Sequence, residues 1–401
     1  MKIIYLHQYF KKPSMNGGVR SYEFAKRLVL DGHHVIMVTS DTENKFKGWK
    51  IEFVDGIEVH WVSVPYSNNL NFWGRILAFL KFIVLASLHL LKIDSDKVIA
   101  TSTPLTISLP AILYKLIKKK EFIFEVRDVW PEVPIALGYL KNPVLRFIAK
   151  KMELLSYYFS DEIIALSPDM RRSILEKSPS KNVTVIPNAA DVDLFKIPDD
   201  KSSTIIEGKI VEIKKNHEKI VFYTGTFGHV NNITYLIDLA SYSTGDIGFI
   251  FIGGGKERGD LERYAQDKGL LGSIVHFLDP ISKVELAQVH ALCDVACSTV
   301  LPIQELYANS ANKVFDAFAS GTPILINHGG WIAEIINHHE CGIVLSEVVS
   351  QDEFKKLHDF VFDERAFSSS EESSRFLGMN EFKRDNLYRS FREVINGEKT
   401  V

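Results

Sequence analysis

The chain has 401 residues, 46% of them hydrophobic and 24% charged. That length exceeds one ordinary core and suits two domains of roughly 150–200 residues each. A formal net charge of −3 gives no basic excess for a nucleic-acid partner, and Cys293, Cys297 and Cys341 supply neither a disulfide framework nor a zinc set, reading instead as buried free thiols in a reducing compartment.

Met1–Leu6 is expected to be an opening strand and not a secretory leader, since it lacks a cleavage-site pattern. Gly17-Gly18 then forms a turn, and a helix follows with apolar spacing at Tyr22, Ala25, Leu28 and Val29. Further strands are expected at Val35–Val38, Ile57–Val62, Val98–Thr101, Phe122–Val126, Glu162–Leu166 and Val183–Ile186. Between them lies the apolar stretch Ile76–Leu91. It is short for a membrane span, which needs roughly 20 residues, and reads as a buried or surface-seated helix. Strands alternating with helices predict a parallel, doubly wound α/β sheet.

Pro187-Asn188-Ala189 closes that half, and residues 196–218 are polar and read as a linker. The pattern then restarts, with strands expected at Ile220–Thr224, Ile247–Ile252, Val275–Leu278, Val295–Ser298, Pro323–Ile326 and Gly342–Leu345. Residues 365–375 are rich in Ser and Glu and read as a loop. Asn380–Ile395 has helical apolar spacing. The expected organisation is an N-terminal Rossmann-like domain at 1–195, the linker at 196–218, a second Rossmann-like domain at 219–379, and a C-terminal helix at 380–401 that can pack back on the first domain. Ligands of such sheets lie beyond the carboxyl ends of the strands, here in a cleft between facing strand ends.

Two features carry chemistry. Gly17-Gly18 lets backbone approach a ligand and aims helix N–H groups at an anion. It is neither a full G-x-G-x-x-G nor followed by an acidic residue closing the next strand, which weighs against a dinucleotide. The run Ser310–Pro323 reads as a helix capped by Ser310 or Asn312 and ended by Gly321. Its start, with Lys313 beside it, suits a diphosphate, and Asp316 suits ribose hydroxyls. The plain alternative is a capped surface helix with a solvated Lys and Asp.

These residues resemble the large retaining GT-B glycosyltransferase family four. The resemblance rests on Asn16-Gly17-Gly18-Val19-Arg20, on Val185–Phe195, on Phe251-Ile252-Gly253-Gly254-Gly255, and on the helix Lys313–Thr322 with Pro323. His7-Gln8-Tyr9-Phe10 and Glu125–Glu132 are similar to the branch of O-antigen and exopolysaccharide enzymes that includes N-acetylfucosamine transferases. The resemblance implies a two-domain GT-B fold and a retaining hexosyltransferase. It would move an N-acetylated amino or deoxyamino hexose from a UDP-sugar to a polyprenyl-diphosphate-linked saccharide in O-antigen, capsule or exopolysaccharide synthesis. It places Gly17, Gly18, Gly225, Thr226, Gly254, Leu278, Pro280, Ile281, Ser310, Ala311, Asn312 and Asp316 at the donor, with Asp316 standing for the second glutamate of an E-x7-E motif. The first glutamate is missing at Ala308, and Glu305 is out of register. The cation usual after the first strand of the second domain is also absent, leaving His229 or, as the substitute, Lys313.

Asp128, in an acidic turn held by a buried Trp130 and Pro131, is the candidate for orienting or deprotonating the acceptor hydroxyl. An Arg127–Asp128 pair is the structural alternative. His7 ends the first strand and is a second candidate. No cofactor and no metal are expected, the UDP-sugar being a co-substrate. Asp94-Ser95-Asp96 is a D-x-D but reads as the entry turn of a strand. Basic residues from Arg75 and Lys81 through Lys118-Lys119-Lys120 to Lys150-Lys151, interleaved with apolar residues including Trp73, suit an anionic membrane surface. The expected location is therefore cytoplasmic, peripheral on the inner face of the cell membrane. An epimerase of the same fold acting on UDP-N-acetylhexosamine, or a non-catalytic nucleotide-sugar-binding protein, are the competing readings.

Overall fold

The computed structural model describes residues 1–15, 17–43, 45–66, 70, 72–195 and 204–398. They form two compact units, one of residues 1–187 with 388 onward and the other Asn188–Leu387. Asn16, the first part of the expected linker (196–203) and the side chain of Trp73 lie outside the described residues.

The first unit holds β1 (Lys2–Leu6), β2 (His34–Asp41), β3 (Trp49–Val54), β4 (Ile57–Ser63), β5 (Lys97–Thr101), β6 (Glu121–Val126), β7 (Glu162–Ala165) and β8 (Val183–Val185). Their order is β3-β4-β2-β1-β5-β6-β7-β8. Every pairing is parallel except β3 on β4. Ile3, Ile4, Tyr5 and Leu6 are all fully buried, as a central strand covered on both faces requires. The connections run one way from β1 to β2 and the other way from β5 onward, so the order reverses at β1/β5. That switch point sets the ends of β1 and β5, His7 and Ser102, next to each other, with the end of β6 beside them.

The antiparallel β3 departs from the all-parallel expectation. Its turn is Asp55-Gly56, both at positive φ, a strong hairpin signal. On this edge strand Trp49, Glu52 and Val54 are partly covered and Lys50, Ile51 and Phe53 are exposed.

The second unit holds β9 (Lys219–Thr226), β10 (Ile247–Gly254), β11 (Val275–Leu278), β12 (Val295–Ser298), β13 (Ile324–Ile326) and β14 (Gly342–Val344). All are parallel, in the order β11-β10-β9-β12-β13-β14. Its switch point lies between β9 and β12.

Three local expectations are corrected. The later part of the supposed linker is the helix Ile205–Lys214, N-capped by Thr204. Its Ile206, Ile210 and Ile213 join the core with Ile220 and Phe222, at the i, i+4, i+7 spacing of a helix face. The supposed loop at 365–375 is the helix Glu364–Phe376. Its buried face is Phe367, Ser370 and Ser374, and Ser374 Oγ donates to the carbonyls of Thr322 and Cys341 at 3.1 and 3.0 Å. Packing overrides the weak helix propensity of serine here. The last helix is Arg384–Asn396, preceded by a π turn at Leu377–Glu381. In the first unit its Phe391 packs on Phe24, with ring centroids 4.6 Å apart, and on Tyr5.

The three cysteines are buried and free. Asp94–Asp96 is an entry turn to β5, with Asp96 accepting from Lys2 N at 2.7 Å and Ser95 bonded to Tyr114. The long apolar helix is Phe72–Leu90, and no helix of the described residues is long and apolar enough to cross a membrane.

Candidate functional site

In the second unit the carboxyl end of β9 carries Gly225 at φ +137°. A Cβ there would sit 3.2 Å from Lys313 Cε, so a side chain would displace the lysine. At the end of β10, a Cβ on Gly254 would meet Pro280 Cγ at 3.4 Å. Gly225, Gly254, Pro280 and Lys313 therefore border one another. Thr226 contributes its carbonyl, which accepts from Tyr223 Oη and Asn231 Nδ2, both at 3.0 Å.

Lys313 is half-buried and lies over the Tyr223 ring, 4.9 Å from its centroid. Among the described residues no carboxylate stands within ion-pair distance of it. Burial pushes its pKa down to about 8, with Asp316 opposing. Asp316 is buried and accepts from Lys283 Nζ at 2.7 Å. Burial raises its carboxyl above the usual range, and Lys283 offsets this only in part. Neither residue is the solvated side chain of the plain surface-helix alternative.

The helix is Asn312–Ser320, closed by Gly321 at φ +76°. The expected cap is corrected: the N-cap is Ala311, with no side-chain cap. Ser310 is diverted because its Oγ accepts from Asn188 N at 3.0 Å, while its carbonyl accepts from Asn188 Nδ2 at 2.6 Å. Asn312 is exposed. The first-turn amides thus keep the open N–H groups of any helix start. Asn188 Oδ1 is buried without a partner among the described residues.

His229 does not fill the place of the missing cation. It is exposed and faces Glu257 at 3.4 Å. The pocket beside it, lined by Asn232, Glu257, Asp260 and Tyr264, includes none of the residues around Lys313. Ala308 is buried and offers no carboxylate. Leu278 and Ile281 pack partly buried against the core, leaving Asp279 and Pro280 exposed between them.

In the first unit Gly17 sits at φ +135°, where a Cβ would lie 3.1 Å from Lys11 Cγ; Gly18 follows it before the helix Arg20–Leu30. His7 is buried, its Nε2 3.4 Å from Arg127 Nη1 and its Nδ1 without a partner among the described residues. Burial, then Arg127 and Lys11, hold its pKa well below the ordinary value. An acceptor Nε2 facing Arg127 assigns the proton to Nδ1. Asp128 is exposed and accepts from Thr103 Oγ1 at 2.5 Å. The Arg127–Asp128 alternative is corrected, since Arg127 turns to His7 and its amide donates to Ser102 Oγ at 2.9 Å. Trp130 is half-buried, not buried.

The sequence reading missed what holds this rim. Arg20 Nε donates to Glu125 Oε1 at 2.9 Å, both side chains almost fully buried. Arg20 also binds the carbonyls of Ile186 and Pro187. Glu125 accepts from Thr101 Oγ1 at 2.5 Å and Tyr5 Oη at 3.4 Å. Burial alone would raise Glu125, but Arg20 and Arg127 hold it below the usual carboxylate range. The network ties the ends of β1, β5 and β6 together. The signal was a glutamate inside the apolar run Phe122–Val126, which must be paired if buried.

Residues 17–194 match the family described as Glycosyltransferase Family 4, and residues 207–376 match Glycosyl transferases group 1. Both halves of the chain are glycosyltransferase domains. A glycosyltransferase of Methanocaldococcus jannaschii, itself uncharacterized, is 26% identical over 196 residues, so the match spans about half of each protein, 48% of this chain and 48% of that one. Sucrose-phosphate synthase from Thermosynechococcus elongatus superposes with a TM-score of 0.79 at 15% identity, over 99% of this chain and 98% of that one. Anabaena HepE in complex with UDP-glucose gives 0.70 at 15% identity, over 99% and 100%. At these identities the likeness is one of fold, and the glycosyltransferase domains have the two-domain GT-B architecture, each a doubly wound Rossmann-like sheet.

Proposed function

We propose that the protein is a retaining hexosyltransferase that moves an N-acetylated amino or deoxyamino hexose from a UDP-sugar to a polyprenyl-diphosphate-linked saccharide. The product would serve O-antigen, capsule or exopolysaccharide synthesis at the cytoplasmic face of the membrane. The observation that carries the donor half is Lys313, a half-buried ammonium without a carboxylate partner among the described residues, set against Gly225 at the end of a central strand. Such a charge calls for an anion. The UDP-glucose held by HepE, a neighbour in fold, supports a nucleoside diphosphate as that anion.

In this reading departure of UDP builds negative charge on the β-phosphate. Lys313 and the open amides at Asn312 and Lys313 stabilise it, with Gly17 and Gly18 at the diphosphate from the first domain. Asp316 meets the ribose hydroxyls, and the backbone of Leu278–Ile281 meets the base. Asp128 orients or deprotonates the acceptor hydroxyl. His7, neutral at pH 7, serves as a hydrogen-bonding group and not as an acid.

The test is UDP release from a panel of UDP-sugars, with and without a polyprenyl-diphosphate-linked acceptor, followed by the anomeric configuration of the product. Acceptor-dependent release with retention is expected. Epimerised donor formed without acceptor would assign the protein to the epimerases, and no turnover with any donor would make it a binding protein.

A further inference from the structure

The helices Phe72–Leu90, Ser108–Lys118 and Pro143–Phe159 carry the chain from β4 to β5, β5 to β6 and β6 to β7. All three crossovers step in the same direction across the sheet, and right-handed crossovers place them on one face. The middle helix packs on both others. Arg20–Leu30 steps the other way, from β1 to β2, and takes the opposite face.

The outward surface of this layer is apolar where a solvated surface would be polar. The first helix buries Ala78, Phe82, Ala86 and Leu90 and exposes Leu77, Leu80, Val84 and Leu88 on the side away from the core. Leu77 is 68% exposed. Every exposed position of the middle helix is apolar: Leu113, Leu116 and Ile117. The third helix exposes Val144, Phe147, Ile148, Leu155 and Tyr158, the last at 72%. Isolated exposed apolar residues are ordinary, but three adjacent helices presenting them together mark an interaction surface.

The charges on the same helices have one sign. The first two helices contain no acidic residue. The third contains only Glu153, which is buried and bridged to Lys177 at 2.7 Å. Exposed Lys81, Lys119, Lys150 and Lys151 stand among the apolar side chains. Lys151 lies over the Phe147 ring at 5.5 Å.

We infer that this three-helix face docks on an anionic lipid bilayer, its apolar side chains entering the interface and its lysines meeting lipid phosphates. The inference rests on the membrane-bound acceptor proposed above and names the surface that reaches it. Charge decides between a bilayer and a second copy of the chain. A two-fold interface puts the same patch on both partners, which here would set lysine against lysine, since the three helices themselves present no exposed acid and the flanking Asp94 and Asp161 face Lys120 and Lys115. A bilayer with acidic headgroups supplies both the apolar depth and the complementary charge.

The experiment is co-sedimentation of the full chain with phosphatidylcholine vesicles with and without phosphatidylglycerol. The protein should pellet with the anionic vesicles. Leu116→Glu with Ile117→Glu should weaken partitioning by more than ~tenfold at any salt. Lys150→Glu with Lys151→Glu should weaken it by more than ~tenfold at low salt, about fivefold or more per cation, with the loss shrinking as salt screens the wild type. Both pairs are exposed, so circular dichroism and UDP affinity should match wild type. Loss of UDP turnover in the wild type would fail the transferase reading and leave the vesicle result standing. Wild type that ignores anionic vesicles, variants that bind as wild type does, or a dimer dissolved by Leu116→Glu in a protein that does not bind lipid would each overturn the inference.

Discussion

Lys283 Nζ lies 2.7 Å from Asp316 Oδ1, while Lys313, three residues before Asp316 in the same helix, has no carboxylate that close among the described residues. The two lysines therefore differ in what they do. Lys283 neutralises a buried carboxylate. Lys313 carries charge that Asp316 offsets only in part, and burial pushes its pKa down to about 8.

The lowered pKa predicts a stability gain on removing the charge. Lys313 holds its proton more weakly in the folded protein than at its ordinary 10.5. Folding is therefore penalised below about pH 8, and the penalty fades between about 8 and 10.5, where the folded state releases the proton first. Lys313→Met should stabilise the ligand-free protein at pH 7 by about 1–3 kcal/mol, with the difference shrinking toward pH 10. Urea unfolding at the two pH values measures it.

The same group sets a pH limit on donor binding. Only the ammonium attracts a diphosphate, so UDP affinity should fall as pH rises through about 8. Binding should itself raise the pKa and take up a proton near that pH. Calorimetric titrations in buffers of different ionisation enthalpy read the proton directly. A flat affinity from pH 7 to 10 would assign Lys313 no part in it.

The Arg20–Glu125 pair should be costly to break and cheap to replace. Glu125→Ala leaves Arg20 buried and unpaired and should destabilise the chain by about 3–5 kcal/mol. Arg20→Met with Glu125→Leu should recover most of that loss, though Arg20 also satisfies the carbonyls of Ile186 and Pro187. Chemical denaturation of the three variants gives the comparison.

Asp128 is exposed, and among the described residues its carboxylate accepts from Thr103 alone, so its removal should spare the fold. On the proposed reading Asp128→Asn lowers kcat by about 10²–10⁴ with UDP affinity and melting temperature unchanged. An unchanged kcat would exclude it as the group that activates the acceptor.

Much of the fold was legible because strand and helix periods are local. The parallel strands were placed within a few residues by apolar runs such as Ile247–Ile252 and Val295–Ser298. The failures have specific causes. Trp49–Val54 does announce an edge strand, by its apolar–polar alternation and the Asp55-Gly56 turn, and was passed over in favour of the longer apolar runs. The serines of 365–375 suggested a loop because propensity says nothing of Thr322 and Cys341, whose carbonyls receive Ser374. In the candidate site, the sequence grouped Gly225, Gly254, Pro280 and Lys313, which do border one another. It missed Lys283 on Asp316, Asn188 on Ser310 and Arg20 on Glu125. Those partners are 33, 122 and 105 residues apart, beyond the reach of any local pattern.

In the proposed mechanism Lys313 meets the diphosphate of a nucleotide donor. That contact is tested most directly by titrating UDP and uridine into wild type and Lys313→Met at pH 7. Wild type should bind UDP well above uridine, and the substitution should remove most of that difference while leaving uridine affinity unchanged. A Lys313→Met protein that still prefers UDP over uridine as strongly as wild type does would contradict it.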